Sequence, residues 1–544
     1  MTKRQISTTV LGIFVALSII SCEKSRQPEY NLKQSTTIYG TVSCEGRPLP
    51  GVVVSDGVEV VSTNEKGQYQ LTSDKKYGYV FISTPSGYTT ESENFLPDHY
   101  TLLSRTPEKR EHIDFELVED GNQTEHTMLV FGDIHLANKA NDIAQFKDFT
   151  KDVNNWVSSH KNRKTYGLTL GDMTWDVYWI SNKFDLENYV DAMSAIKDIT
   201  IYQTIGNHDH SCYLAGDFGS AGPFRQIIGP TFYSFNIGDI HYVVLDDIIA
   251  DNTGNYSDPS YGRNHKSAIA DDNIAWLKKD LSYVNKNTPV VVAMHAPLYY
   301  DNATPVLGTD NAEALMKALE GYKVHFLTGH THKMYNIEKG NIYEHNSAAV
   351  CATWWWTGKN EPGIHVCQDG APGGYRIFNA EGTDISWSYK ATGHPEEYQF
   401  RSYDRNEILI TGEKYCTNAT AEGKAIFNGM ARDWNTVNKD NFIYINVWDY
   451  DPTWTVTVTE NGKELPCEKV AYNADPLHLV TYSAVAVNIN SSKPIYATSN
   501  NKHTFRAKAT SANSTVEIKV TDRFGRVYTE TMTRPKAFEM RNYK

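Results

Sequence analysis

Apolar and polar positions along this chain follow three successive patterns. From about residue 34 to 120, short runs such as Ile38-Tyr39-Gly40-Thr41-Val42 and Val52-Val53-Val54 are broken by turns such as Gly46-Arg47-Pro48-Leu49-Pro50-Gly51. Strands interrupted this often by Gly and Pro predict a β-sandwich. From about 125 to 390, strand-like apolar runs alternate with helical stripes. Ile143, Phe146, Phe149, Val153, Trp156 and Val157 mark one helix face, and Leu186, Tyr189, Val190, Met193 and Ile196 mark another. Asp310 with Glu313 three residues on predicts the cap of a third helix. Phe232–Phe235 and His241–Leu245, joined by Ile237-Gly238-Asp239, predict a hairpin. The middle region therefore reads as an α/β sandwich. From about 395 to 544 the helical stripes stop. Phe442–Val447, Trp454–Val458, Ser483–Val487 and Val516–Val520 alternate or are β-branched, which predicts a C-terminal all-β domain.

Five strands of the middle region end in residues that bind metals. Met128–Phe131 runs into Gly132-Asp133-Ile134-His135, Tyr166–Leu170 into Gly171-Asp172, and Ile201–Ile205 into Gly206-Asn207-His208-Asp209. Val290–Met294 runs into His295-Ala296-Pro297, and Val324–Thr328 into Gly329-His330-Thr331-His332. In a parallel sheet such tips share the edge where α/β folds bind ligands. No cysteine stands among them, so the donors are nitrogen and oxygen, suited to Mn, Fe, Zn or Co.

Taken in chain order, these blocks resemble the signature of the calcineurin-like metallophosphoesterase family: Asp-x-His, Gly-Asp, Gly-Asn-His-Asp/Glu, a later His, and Gly-His-x-His. The resemblance covers roughly residues 125 to 390, with every block present. It sharpens the fold to a four-layer α/β/β/α sandwich. It implies two divalent metal ions (Mn, Fe or Zn): Asp133, His135 and His332 around the first, Asn207, His295 and His330 around the second, and Asp172 bridging. A hydroxide shared by the two ions would attack phosphorus. His208 is implied as the general acid, with Asp209 orienting or polarising it. Two such cations against two carboxylates and one hydroxide leave roughly one net positive charge, enough to hold an anion.

That local balance matters because the chain as a whole carries a formal net charge of −13. Such a charge argues against nonspecific nucleic-acid binding. Lys3 and Arg4, the apolar Val10–Ile20 and Ile19-Ile20-Ser21-Cys22 read as a leader. They resemble a bacterial lipoprotein signal spanning residues 1–22, with Cys22 as the lipidated residue and 23–33 as a polar tether. This places the chain in the cell envelope, anchored to a membrane through lipid. Six cysteines follow Cys22, and an oxidising compartment allows Cys351 with Cys367 or Cys416 with Cys467 to pair. The segment 34–120 resembles carboxypeptidase regulatory-like domains, which implies a spacer or a wall rather than chemistry.

Substrate contacts are expected from aromatic residues near the blocks. Trp175 and Trp179 follow Asp172, and Trp354-Trp355-Trp356 follow the last block. Three consecutive tryptophans cannot all face a core, so at least one is expected at the site; Trp355 and Tyr375 are the expected contacts. Lys333 and Arg263 are the nearby cations for an anionic substrate. The sequence thus points to a metal-dependent phosphoester hydrolase acting on a small organic or envelope-derived phosphodiester or monoester. The alternatives are a pyrophosphatase acting on nucleotide-linked alcohols and a noncatalytic surface binding protein.

Overall fold

The computed structural model describes residues 29–544 apart from 256, 259–261 and 471–473. The expected leader, Cys22 and the start of the tether lie outside the described residues. In the middle region the chain forms β1 (Glu125–Phe131), α1 (Asp142–Ser159), β2 (Lys164–Thr169), α2 (Leu186–Met193), β3 (Ile201–Tyr202), β4 (Tyr233–Ile237), β5 (Ile240–Val244), α3 (Asp271–Asp280), β6 (Val290–Ala293), α4 (Thr309–Ala318), β7 (Val324–Thr328), β8 (Tyr335–Lys339), β9 (Ile342–Asn346), β10 (Gly374–Glu381) and β11 (Asp384–Ala391).

One sheet has the order β3-β2-β1-β10-β11 and the other β4-β5-β6-β7-β9-β8. β1, β2 and β3 pair in parallel, as do β5, β6, β7 and β9. Antiparallel strands occupy the outer positions, including the expected hairpin, β4 with β5. Alternation along β1 sets the layering, because successive side chains point to opposite faces. Met128 and Val130 enter a core shared with β5, β6 and β7, and that core continues to Trp276 and Leu277 of α3 and Leu315 of α4. Leu129 and Phe131 face the other way, onto Phe146, Phe149 and Val153 of α1 and Leu186, Tyr189 and Met193 of α2. The result is the α/β/β/α sandwich. β6 and β7 are buried on both faces, which is why Val290–Ala293 reads as an unbroken apolar run.

Asp185 caps α2 in a reciprocal capping box with Asn188. Asp310 does not cap α4 as expected. That helix starts at Thr309, after Gly308 at φ 76°, with no side-chain cap. Glycine takes up the turn that the polar cap was expected to make.

The N-terminal strands form two sheets around Val42, Val54, Ile82 and Phe115. The C-terminal region also has two four-stranded sheets, with Ile443, Ile445, Val458 and Ile518 between them. It is strand-rich rather than wholly β. Tyr403 and Tyr444 are covered by helical segments at Ala421–Ala431 and from Pro476 to Asn490. Ser483–Val487, expected as a strand, is part of the second of these. Asp475 caps it through Leu477 N and His478 N, with Pro476 in its first turn, and two alanines favour the helix over the β-like alternation. Residues Thr36 to Lys544 pack as one unit. Among the described residues no helix is long and apolar enough to cross a membrane.

The six described cysteines are free thiols, so neither expected disulfide forms. Cys416 belongs to the core under the helices, whereas Cys467 packs against the core between the sheets. Cys351 and Cys367 are both buried in the core beside α1 and α2.

Candidate metal centre

Each block leaves the carboxyl end of a parallel strand, and the loops must then bend sharply to turn donors inward. Asp133, His135, Asp172, His330 and His332 all have left-handed backbone, with φ between 49° and 67°. That conformation costs a non-glycine residue about 1–3 kcal/mol and clusters at functional sites. Glycines make the close approach possible. A Cβ on Gly206 would stand 2.2 Å from Asp172 N, and one on Gly329 would stand 2.5 Å from Asp133 Oδ2.

The donor atoms form two groups. His135 Nε2 lies 3.0 Å from His332 Nε2, which lies 3.3 Å from Asp133 Oδ1. His295 Nε2 lies 3.0 Å from both Asn207 Oδ1 and His330 Nδ1. Asp172 Oδ2 stands between the groups, 3.4 Å from His135 Nε2 and 3.3 Å from His295 Nε2. Its other oxygen accepts His208 N at 2.7 Å. All seven residues predicted as ligands are thus brought together.

The donor chemistry fits divalent cations. His332 Nδ1 donates to Ala352 O at 3.1 Å and His295 Nδ1 to Leu170 O at 2.8 Å, which turns both Nε2 atoms inward. Burial holds the His135 and His330 imidazoles well below their usual pKa, hence neutral. Burial works against charge on His295 too, but the Asp172 carboxylate outweighs it and lifts that pKa to about 10. The pocket therefore attracts positive charge at the point where the donors converge. Cys351 Sγ lies 3.8 Å from His332 Nδ1, but burial raises its pKa well above the usual thiol value, so it stays a thiol.

Asp209, expected to orient His208, points elsewhere. Its carboxylate accepts Met173 N at 3.0 Å, Thr174 N at 3.1 Å and Gly206 N at 2.9 Å, tying two ligand loops together. His208 Nδ1 instead meets Asp176 Oδ1 at 2.7 Å. Arg263, expected near an anionic substrate, donates from Nε to Asp176 Oδ2 at 2.7 Å and from Nη2 to Asn207 O at 3.1 Å. Asp176 follows Asp172 by one helical turn, but nothing in that spacing distinguishes it from a surface carboxylate.

Of the expected substrate contacts, Trp175 alone borders the donors, with its ring centroid 5.9 Å from His135 and 5.7 Å from His208. Trp179 is buried, its Nε1 donating to Thr174 Oγ1 at 2.9 Å. Trp355 is buried against Phe146 and donates to Ile134 O at 2.9 Å. Tyr375 packs on Phe131 and Phe149 and donates to Asp152 Oδ1 at 2.9 Å. These three are core residues, because the apolar side of their strands and turns faces α1 and α2. The tryptophan at the site is Trp354, stacked on His332 at 4.0 Å and on Tyr496 of the C-terminal region at 3.6 Å.

The Calcineurin-like phosphoesterase family profile matches residues 126–334. Profiles for the N terminal and the C terminal of Calcineurin-like phosphoesterase match residues 36–120 and 344–528. Comparison with curated proteins finds no match. Among solved structures, a dimetal phosphatase from Danio rerio is 14% identical, with 48% of this chain and 98% of that one covered and a TM-score of 0.34. Purple acid phosphatase PPD1 from yellow lupin is 12% identical, with 63% and 67% covered and a TM-score of 0.34. A 5'-nucleotidase from Candida albicans is 12% identical, with 62% and 68% covered and a TM-score of 0.32. Likenesses this distant carry nothing about the reaction. The profiles match all three parts of the chain, which belongs to the calcineurin-like phosphoesterase family and is a metal-dependent hydrolase acting on phosphoester bonds.

Proposed function

We propose that the chain hydrolyses a phosphodiester or phosphomonoester of a small organic or envelope-derived molecule at a centre of two divalent ions, Mn, Fe or Zn. The observation that carries this reading is the placement of Asp172 Oδ2 within 3.4 Å of donors from both groups. One carboxylate shared in this way calls for two ions. Asp133, His135 and His332 would hold one; Asn207, His295 and His330 would hold the other. Bound divalent ions supply Lewis acidity and activate water near neutral pH.

His208 gives a proton to the departing oxygen. Its Nδ1 is engaged with Asp176, so Nε2 is the nitrogen that acts. Asp176 fixes the ring, and Arg263 fixes Asp176. Trp175 and Trp354 border the donors and limit water at the reacting atoms. The test is to load the protein with Mn, Fe or Zn, measure bound metal, and assay paired monoester and diester substrates. Two ions per chain and turnover of one class are expected; one ion, or no turnover with both bound, would end this reading. His208→Ala should keep its metal and lose about a hundredfold or more in kcat.

We also infer an envelope location with a lipid on Cys22, on the strength of the leader-like residues 1–22. Cys22→Ser should move the protein from the membrane fraction to the soluble one. Retention in the membrane fraction would refute the anchor.

A further inference from the structure

One cleft outside the metal centre combines cationic and amide side chains. It has a volume of about 180 Å³ and lies between the catalytic sheets and the C-terminal region. Its walls include Lys333, Tyr335, Tyr450, Lys469, Asn501 and Lys502. Lys333 and Tyr335 belong to the chain that leaves the ligand His332. The Tyr335 phenol donates to Tyr299 O at 3.1 Å. One wall of the cleft is therefore the chain segment that directly follows the ligand loop.

Its charge is unusual for a chain of net charge −13. Lys502 pairs with Asp301 at 3.7 Å. Among the described residues, Lys333 and Lys469 have no carboxylate partner. Lys469 rests over the Tyr450 ring at 4.1 Å, and burial with Lys502 nearby lowers its pKa. Of the carboxylates in the walls, Asp369 is already committed, accepting Met334 N at 2.7 Å and facing His503 Nε2 at 3.4 Å. Two ammonium groups thus line a recess whose two carboxylates, Asp301 and Asp369, are engaged with other partners. An ammonium group without a carboxylate partner is available to an incoming anion for a charge-assisted hydrogen bond.

We propose that this cleft is a subsite for a second anionic group on the substrate, a phosphate or carboxylate carried on the ester substituent that stays on phosphorus. It rests on the phosphoesterase reading and deepens it. A monoester has no second ester substituent to place there, so the cleft favours diesters with an acidic, polar arm.

The test uses the full chain loaded with metal. Two nitrophenyl phosphodiesters are compared, identical except that the retained arm ends in a phosphate or in a hydroxyl, over a short series of arm lengths. A charge-assisted hydrogen bond of about 1.5–3 kcal/mol predicts a preference of roughly tenfold or more in kcat/KM for the phosphate-ended arm at one length. Lys469→Gln and Lys333→Gln should each reduce that ratio, and the double substitution should bring it close to one. Equal rates on the two diesters, or a preference that survives the double substitution, would overturn the subsite while leaving the phosphoesterase reading intact. If neither diester is hydrolysed with the metal bound, the subsite is overturned; the phosphoesterase reading fails only if the monoester is not hydrolysed either.

Discussion

Asp176→Asn is the sharpest perturbation of the proton-donating pair. The carboxylate is fully buried, with one oxygen 2.7 Å from His208 Nδ1 and the other 2.7 Å from Arg263 Nε. The amide keeps the size, but its NH2 must face either the imidazole N–H or the guanidinium, donor against donor. A hydrogen bond to a charged group contributes about 1.5–3 kcal/mol. At 1.36 kcal/mol per tenfold, its loss predicts about a 10- to 150-fold drop in kcat. The upper bound is the His208 contribution itself, about 10²–10⁴. The assay compares an alkyl leaving group, which needs the proton, with a nitrophenolate, which does not. Asp176→Asn should cost most of its effect on the alkyl ester and little on the nitrophenyl ester, with bound metal unchanged. Equal losses on both esters would refute the role of Asp176 in proton donation and recast it as a brace. Asp209→Asn is the contrast: with backbone N–H groups as its partners, it should weaken folding and metal binding without distinguishing leaving groups.

Three further outcomes follow. Gly329→Ala puts a Cβ 2.5 Å from Asp133 Oδ2, and pushing that carboxylate aside should weaken metal binding about 10–100-fold; a metal titration matching the wild type would refute it. Tyr496→Ala removes the ring stacked 3.6 Å from Trp354. An aromatic pair of about 0.5–1.5 kcal/mol predicts up to roughly tenfold weaker metal binding through His332, with Tyr496→Phe restoring it; failure of Phe to restore it would point to the hydroxyl. Burial lowers the His99 pKa to about 4, from an ordinary value of 6.5, and its Nε2 has no partner. The unfolded chain binds this proton first, so the stability that neutral His99 allows is complete above pH 6.5 and is lost as pH falls toward 4. His99→Phe should therefore gain on the wild type by about 2 kcal/mol between pH 7 and pH 5, read by chemical denaturation at each pH; a constant difference would refute it.

The seven donors were legible because their signal is local. A buried strand, a glycine, and a metal-binding residue type sit within a few positions of one another, and parallel pairing then brings the strand ends to one edge. The groups that support them are set by contacts between distant segments. Asp176 meets Arg263 across 87 positions of chain, and no periodicity or turn signal encodes such a pairing. Asp209 turns to backbone N–H groups instead of His208 for the same reason: adjacency in sequence says nothing about direction once the loop turns. The tryptophan run shows the limit most clearly. Exclusion correctly required one ring at the site. Choosing Trp354 over Trp355 depended on backbone geometry, since both are left-handed, at φ 47° and 65°. That bend sends one ring outward to His332 and the other inward to Phe146.

The same stack joins the C-terminal region to the metal centre. Trp354 is held on one face by a residue predicted as a ligand and on the other by Tyr496, and the preceding Thr353 bonds His478 Nε2 at 3.1 Å. His478 lies in the helical segment whose later part, Ser483–Val487, reads by alternation as a strand. A β-strand there would place its side chains on alternate faces. The helix instead turns His478 and Tyr482 toward the loop that carries Trp354, with Tyr482 6.3 Å from Tyr496. The helix and Trp354 therefore depend on one another: the C-terminal region, which carries none of the predicted ligands, supplies the outer side of the site.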